Sequence, residues 1–96
     1  MKVEYSKRAL SDLHNIAAHF AASQNPQVTG RLVVRIEQVI ARISGLPESG
    51  RPVAQRPGVR VVPLLPFRYN LFYALSDETI RVVHIRHTSR RLWPGG

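Results

Sequence analysis

Two helical patterns of apolar residues are followed by three strand patterns, and this order constrains the fold more than any other feature. In the first half, apolar residues recur at the helical period in two runs, which end near Ala22 and at Gly45. In the second half, the pattern predicts three strands, at about residues 59–65, 67–75 and 79–87. Because nothing else in the chain can cover the helical stripes, both helices must pack on one face of the sheet.

Local signals support this division. Residues 2–5 alternate as a short strand, and Ser6 is expected to cap the first helix because its hydroxyl can accept a backbone N–H. Pro26 begins the second helix, and Gly45 is placed to end it in the left-handed conformation. Residues 48–58, rich in Pro, Gly and Arg, are predicted to form an ordered but irregular loop. The predicted fold class is α+β in the order β-α-α-β-β-β, with a helical hairpin on one face of a small, mainly antiparallel sheet.

Length and composition restrict the class of protein. A chain of 96 residues forms one domain, 1–96, in which we expect residues 88–96 to be a basic C-terminal tail. No run approaches the roughly 20 apolar residues of a membrane span, and the start lacks a secretory apolar region, so no membrane partner is expected. The lack of cysteine excludes disulfide and thiolate chemistry and fits a cytoplasmic location.

Positive charge is concentrated in the second half of the chain. Of the net charge of +8, residues 50–96 contribute +6 and residues 1–49 contribute +2. Twelve of the fourteen cationic side chains are arginine, whose planar group suits bidentate contacts to carboxylate and phosphate. An acidic protein or a nucleic acid is therefore the expected partner, and a basic surface that only aids solubility is the alternative.

Alternation along the strands predicts which side chains the helices cover. In the simplest register, the side chains under the helices are Tyr69, Leu71, Tyr73, Val83 and Ile85. The open face then carries Arg68, Asn70, Phe72, Val82, His84 and Arg86, with Arg60 and Val62 as possible additions from the edge strand. A sheet face that is half apolar and half cationic suggests a covering partner.

The order and spacing of several segments carry a family resemblance. The segments are Tyr5-Ser-Lys-Arg-Ala-Leu-Ser-Asp-Leu13, Leu46-Pro-Glu-Ser-Gly50, Pro57-Gly-Val-Arg60, Phe67-Arg-Tyr-Asn-Leu-Phe-Tyr73 and Ile80-Arg-Val-Val-His-Ile-Arg-His87. Over nearly its whole length the chain resembles the RelE/ParE family of toxins from type II toxin–antitoxin systems. The resemblance implies a small cytoplasmic toxin, of a kind linked to plasmid stabilisation, that a cognate antitoxin neutralises in a hetero-oligomer. The expected antitoxin contacts are Arg68, Asn70, Phe72, Val82 and His84.

The family divides by target, and the ParE-like branch is favoured here. ParE-like members inhibit DNA gyrase, whereas RelE-like members cut messenger RNA on the ribosome, commonly with mid-chain lysines, arginines and a late Tyr or His. The only lysines of this chain are Lys2 and Lys7, and no tyrosine follows Tyr73. Because arginine cannot release its proton in practice, His84 and His87 are the proton carriers that remain in this region.

The first hypothesis is therefore a toxin that binds gyrase, with the expected contacts Arg60, Arg86, His87, Arg90, Arg91 and Trp93. The second is a ribosome-dependent endoribonuclease, in which Arg60 and Arg86 stabilise the phosphate and His87 acts as acid or base. A third, a DNA-binding module without toxicity, fits the charge but lacks a free recognition helix.

Structural interpretations of the same residues stay open. Arg60 can instead pair with a glutamate, His84 can bond a neighbouring strand, and Trp93 can attach the tail to the core. Asp12 is expected on the helix surface. No cofactor or metal is expected, since His14 and His19 lie five residues apart and point to different sides of the first helix.

Overall fold

The protein, in a computed structural model that describes residues 1–89, consists of two helices packed on one face of a five-stranded sheet. The elements are β1 (Lys2–Tyr5), α1 (Lys7–Ala22), α2 (Pro26–Gly45), β2 (Arg51–Pro52), β3 (Val59–Pro63), β4 (Tyr69–Ser76) and β5 (Thr79–His87). The strand order is β1-β5-β4-β3-β2, with β1 parallel to β5 and the other pairs antiparallel. The predicted α+β fold is confirmed, and β2 is an addition within the segment predicted to be irregular.

The start of α1 is attached to β5 through its cap. Ser6 Oγ accepts the backbone N–H of Ala9 at 3.0 Å, as predicted, and donates to the carbonyl of Val83 at 3.0 Å. The Ser6 N–H donates to the carbonyl of Val82 at 2.9 Å. These bonds fix the point at which the chain leaves β1 and passes into the helix.

The second helix begins at Pro26, as predicted, but ends differently. Gly45 is still helical and Leu46 follows it as the cap, with φ −137°. Among residues 1–89 the one glycine with positive φ is Gly58, so the predicted left-handed end at Gly45 is wrong. Neither helix has the length and apolar character required to cross a membrane.

The main core lies between the helices and the sheet. Its helical members include Ala9, Ile16, Leu32, Ile36, Val39 and Ile43, and its sheet members include Leu71, Tyr73, Ile80, Val82 and Ile85. Burial of each large apolar side chain contributes about 1.5–3 kcal/mol. The prediction that Tyr69, Leu71, Tyr73 and Ile85 face the helices is confirmed.

A β-bulge in β5 makes the predicted faces of Val82 and Val83 wrong. Phe72 pairs with His84 and Tyr73 pairs with Val82, so Val83 is an extra residue between the two pairs. The extra residue reverses the alternation along the strand. Val82 therefore packs under the helices, where it is fully buried, and Val83 packs with the apolar side chains of the opposite face.

The opposite face has a small apolar cluster of its own. Val53, from the connection between β2 and β3, packs with Val59, Val61 and Phe72. Its N–H donates to the carbonyl of Val59 at 2.9 Å, which fixes the connection to the sheet. Phe72 is fully buried in this cluster, so the prediction that it lies open to a partner is wrong.

Candidate functional site

Beyond the end of β1, the edge of β5 is covered by α1. The parallel pairing of β1 with β5 extends only from Thr79 to Val82. Asp12 Oδ2 then accepts the backbone N–H of Ile85 at 2.9 Å and also a hydrogen bond from Nδ1 of His84. A carboxylate thus supplies the acceptor that a neighbouring strand would otherwise provide.

This arrangement corrects two expectations. Asp12 is only 8% exposed and His84 only 3%, so Asp12 is not a helix-surface residue and His84 is not offered on the open face. The physical reason is that the edge N–H of Ile85 needs an acceptor once β1 has ended. His84 also contacts the ring of Phe72, with ring centroids 6.1 Å apart.

The environment of His84 favours its neutral form. Burial lowers the pKa of His84 from its ordinary value of 6.5, and the cations of Arg8 and Arg86 act in the same direction. The hydrogen bond and the negative charge of Asp12 act in the opposite direction without reversing the shift. As a buried hydrogen-bond donor to Asp12, His84 thus holds α1 on β5. The other carboxylate oxygen of Asp12 accepts a hydrogen bond from Arg8 Nε at 3.3 Å.

A polar groove lies beside this contact, between α1 and the end of β5. We call it the α1–β5 groove; its volume is about 460 Å³ and it is lined by Arg8, Asp12, Asn15, Ile16, His19, Tyr69, Ile85, Arg86, His87 and Ser89. It brings the predicted site residues Arg86 and His87 together. The contribution of α1 was missed by sequence reasoning, although Arg8, Asn15 and His19 are spaced at i, i+7 and i+11 as on one helical face.

The ring of His87 has a defined orientation in this groove. The backbone N–H of Ser89 donates to Nδ1 at 3.1 Å, and Ser89 Oγ lies 2.7 Å from the same nitrogen. Because Nδ1 accepts a hydrogen bond, the proton of the neutral ring is on Nε2. The ring also meets that of Tyr69 edge to face, with centroids 5.3 Å apart, and burial raises the pKa of Tyr69.

Arg60 lies elsewhere, and its predicted place on the open face is wrong. Its Nη1 donates to the carbonyls of Gly50 at 2.8 Å and Glu48 at 3.1 Å. The neighbouring Tyr73 hydroxyl donates to the carbonyl of Pro47 at 2.7 Å and accepts the N–H of Gly50 at 3.0 Å. Arg60 and Tyr73 together therefore fix the turn after α2.

The candidate nuclease residues are not brought together. Arg86 and His87 line the α1–β5 groove, whereas Arg60 is held by the turn after α2. Val62, expected with Arg60 on the open face, packs against the main core instead. The reason is that odd-numbered residues of β3 face the Phe72 cluster, so even-numbered ones face the helices.

A second groove lies between α2 and the outer edge of β3, and sequence reasoning missed it. We call it the α2–β3 groove; its volume is about 510 Å³ and it is lined by Arg35, Val39, Arg42, Ile43, Ser49, Arg51, Val61, Val62, Pro63, Leu65 and Asn70. Because β2 pairs with β3 only at Arg60 and Val61, no other strand among residues 1–89 covers the outer edge of β3 beyond that point. The groove combines an apolar floor with three arginines.

The other predicted contacts are placed as follows. Arg68 is exposed just before β4, and Asn70 is half-buried opposite Arg86. The surface predicted to contact the antitoxin is therefore smaller than expected, because Phe72, Val82 and His84 are buried. Arg90, Arg91 and Trp93 lie outside the described residues, and their roles stay predictions.

Comparisons with known proteins agree with the observed fold. A sequence model of the family described as "ParE toxin of type II toxin-antitoxin system, parDE" matches residues 3–92. No curated protein sequence matches the chain.

Three solved structures are similar in fold. A chain of the chromosomal ParDE system from P. aeruginosa has a TM-score of 0.76 at 21% identity, covering 91% of this chain and 95% of that one. The YoeB/ParE toxin from Agrobacterium tumefaciens has a TM-score of 0.65 at 17% identity, covering 91% and 98%. The isolated E. coli RelE toxin has a TM-score of 0.61 at 15% identity, covering 95% and 87%.

Proposed function

Because the chain belongs to the ParE toxin family of type II toxin–antitoxin systems, we propose that it arrests growth in the cytoplasm by binding DNA gyrase. The family match over residues 3–92 carries the proposal. The separation of Arg60 from Arg86 and His87 supports a binding mechanism over RNA cleavage, since a nuclease must hold its acid, base and phosphate ligand around one phosphate.

We propose that the gyrase contacts are centred on the end of β5. Arg86 and His87 are half-buried there, so parts of both side chains remain accessible. Arg90, Arg91 and Trp93 follow within six residues of His87 and add two cations and an aromatic group. Arginine and tryptophan are the residue types that most often dominate the binding energy of protein interfaces.

The test is a supercoiling assay with purified gyrase and the purified chain. We expect inhibition, or accumulation of cleaved DNA, at doses stoichiometric with gyrase. Combined alanine substitution of Arg86, Arg90 and Trp93 should raise the inhibitory dose at least about tenfold, because loss of one interface hot spot already costs about 2 kcal/mol.

Arg31→Ala with Arg81→Ala is the control, since both arginines are exposed and lie outside the α1–β5 groove, and the double variant also loses two cations. It should leave the inhibitory dose within about twofold of the parent, because isolated surface charges contribute little. Normal supercoiling under excess of the parent chain would overturn the proposal. Cleavage of translated messenger RNA by that chain would favour the nuclease hypothesis instead.

We also propose that the neutralising antitoxin occupies the α2–β3 groove with an acidic segment that carries apolar anchors. Arg35, Arg42 and Arg51 supply positive charge, and Leu65, 63% exposed, supplies apolar surface. The edge of β3 beyond Val61 adds little, because only Val62 and Pro63 remain and proline has no N–H, so the side chains of the groove carry this contact. An opposite charge on the partner would both speed association and select the correct partner.

A further inference from the structure

A third hollow of the molecular surface lies where α2 ends. We call it the Leu46 patch; it is lined by Gly45, Leu46, Pro47, Glu48, Ser49 and Leu75. Leu46 is 63% exposed and Leu75 is 39% exposed, and the exposed Glu48 lies beside them. Neighbouring exposed leucines that are rimmed by polar residues are a common feature of protein contact sites.

The backbone of the Leu46 patch is fixed from the inside of the molecule. The hydroxyl of Tyr73, which is fully buried, donates to the carbonyl of Pro47, and Arg60 donates to the carbonyl of Glu48. These bonds fix the turn that carries Leu46. A partner therefore meets a preorganised surface and loses little entropy in ordering it.

The Leu46 patch continues directly into the α2–β3 groove. Ser49 lines both, so the two hollows form one surface. The groove half carries Arg42 and Arg51 and the patch half carries Glu48, and all three side chains are exposed. Within residues 1–89 none of these three forms a salt bridge. Unpaired charges of opposite sign thus lie side by side on one surface.

This mixture of charges indicates which partner covers the whole surface. A nucleic acid would be repelled by Glu48, and a purely acidic segment would be attracted only to the groove half. A second copy of the chain matches both halves, because a twofold axis that passes near Ser49 places the patch half of each copy on the groove half of the other.

We propose that a second copy of this chain covers the Leu46 patch and the α2–β3 groove in a dimer with twofold symmetry. Glu48 of one copy pairs with Arg51 of the other, and the symmetry repeats this pair. Leu46 and Leu75 pack into the opposite groove, whose apolar lining includes the exposed Leu65. The antitoxin segment would compete for the same groove, so the dimer is the state of the chain without antitoxin.

The net charge of +8 does not prevent this contact. At physiological ionic strength, charges further apart than about 8 Å are largely screened from one another. The charges that meet across the interface therefore dominate its electrostatic energy. The dimer depends neither on gyrase nor on the antitoxin, so its test uses the purified full-length chain alone.

The experiment measures the mass of the chain by sedimentation equilibrium at physiological ionic strength. We expect the average mass to increase with concentration from 10.8 kDa towards twice that value, as in a reversible equilibrium between monomer and dimer. A chain that stays monomeric up to about 1 mM would overturn the proposal, because even a complex with that dissociation constant is then half formed. So would a mass that increases beyond two chains, because a twofold contact closes at the dimer.

An exchange of charges tests the pairing across the interface. Glu48→Arg and Arg51→Glu should each weaken the dimer at least about tenfold, since each places like charges at two symmetric contacts. An equimolar mixture of the two variants should recover dimerisation, because a heterodimer brings opposite charges together at both contacts. A mixture that stays as monomeric as the separate variants would contradict the proposed pairing.

Glu37→Arg and Arg31→Glu are the matched controls for this exchange. Both residues are exposed on α2 and lie outside both halves of the surface. Each control should change the dissociation constant of the dimer by less than about threefold. Equal losses in the controls and in the variants at Glu48 and Arg51 would show that net charge governs the association, and would overturn the proposal.

A second matched pair tests the apolar part of the contact. Leu46→Ser should weaken the dimer at least about tenfold, because it removes an apolar side chain that the second copy buries. Leu10→Ser makes the same change on α1, where Leu10 is 55% exposed and lies outside the surface, and should leave the dimer unchanged. Equal losses in both variants would mean that the leucines associate without a defined interface.

Discussion

The Asp12–His84 pair links the protonation of one buried ring to the packing of α1 on β5. His84 is buried, donates to Asp12 and lies near the cations of Arg8 and Arg86. Its lowered pKa means that the unfolded chain binds a proton at a pH at which the folded chain does not. Protonation of His84 therefore does not oppose folding above the ordinary histidine pKa of about 6.5. As the pH falls through that value, the unfolded chain binds the proton first and the free energy of unfolding decreases.

We predict that the free energy of unfolding decreases between pH 7.5 and pH 5, measured by urea denaturation. His84→Gln keeps a donor for Asp12 but removes the titration, so it should flatten this pH dependence. His14→Gln makes the same chemical change on the exposed side of α1. If both variants keep the slope of the parent, the buried pair is not its cause.

Gly50 shows how closely the turn after α2 fits the sheet. A Cβ at this position would lie 2.6 Å from the hydroxyl oxygen of Tyr73, which is itself fully buried. We predict that Gly50→Ala lowers the free energy of unfolding by about 1–3 kcal/mol, because it displaces the phenol and breaks its bonds to Gly50 and Pro47.

Gly30→Ala is the matched control for Gly50→Ala. Gly30 lies inside α2 with nothing within 4 Å of its Cβ position, so this variant should be more stable than the parent by about 0.5–1 kcal/mol. Thermal or urea denaturation of the two variants should therefore give changes of opposite sign. A Gly50→Ala protein as stable as the parent would contradict the tight fit.

Among the elements, the hairpin between β4 and β5 carries backbone strain. Asp77 and Glu78 form its two-residue loop with φ angles of 47° and 61°. This geometry is that of a type I′ turn, in which glycine is preferred at the second position. Glu78 therefore occupies a left-handed conformation that costs a residue with a Cβ roughly 1 kcal/mol.

We predict that Glu78→Gly raises the free energy of unfolding by about 0.5–1 kcal/mol, because glycine adopts the left-handed conformation without strain. The higher entropy that glycine gives the unfolded chain offsets part of this gain. Glu78→Ala removes the same carboxylate but keeps the Cβ, so it should give no such gain. The measurement is the denaturant midpoint of each variant. Equal midpoints for the glycine and alanine variants would show that charge rather than backbone geometry determines the effect.

The same two strands show how far the sequence predicts the fold. Alternation correctly placed Tyr69, Leu71 and Tyr73 under the helices, because β4 is regular from its start. It failed at Val82 and Val83, because the bulge arises from the pairing of two strands and leaves no mark in the composition of β5.

At the scale of the whole molecule, the sequence predicted parts of the site but not their assembly. Arg86 and His87 stood out as an arginine and a histidine at a strand end, and they do line a groove. The helical wall, with Arg8 and His19, was not predictable because it depends on α1 crossing the edge of β5. Arg60 was misplaced because its bonds are to carbonyls of a turn whose path the sequence did not indicate.

The distribution of charge over the whole molecule gives the last prediction, on the α2–β3 groove. Arg35 and Arg42 are one heptad apart on α2 and line the groove, and Arg35 Nη1 donates to Gln38 Oε1 at 3.3 Å. An acidic antitoxin segment would supply acceptors there. We predict that Arg35→Gln with Arg42→Gln weakens antitoxin binding about tenfold, measured by titration calorimetry, and reduces its dependence on salt.

Arg31→Gln with Arg81→Gln is the control, because both arginines are exposed, lie outside the groove and give the same change in net charge. Because salt screens charges that do not contact the partner, these two substitutions should change the affinity for the antitoxin by less than about threefold. If the two double variants lose affinity equally, the antitoxin responds to the net charge of +8 and does not occupy the groove. If only the groove variant loses affinity, and the loss diminishes at high salt, the arginines contact the acidic segment directly.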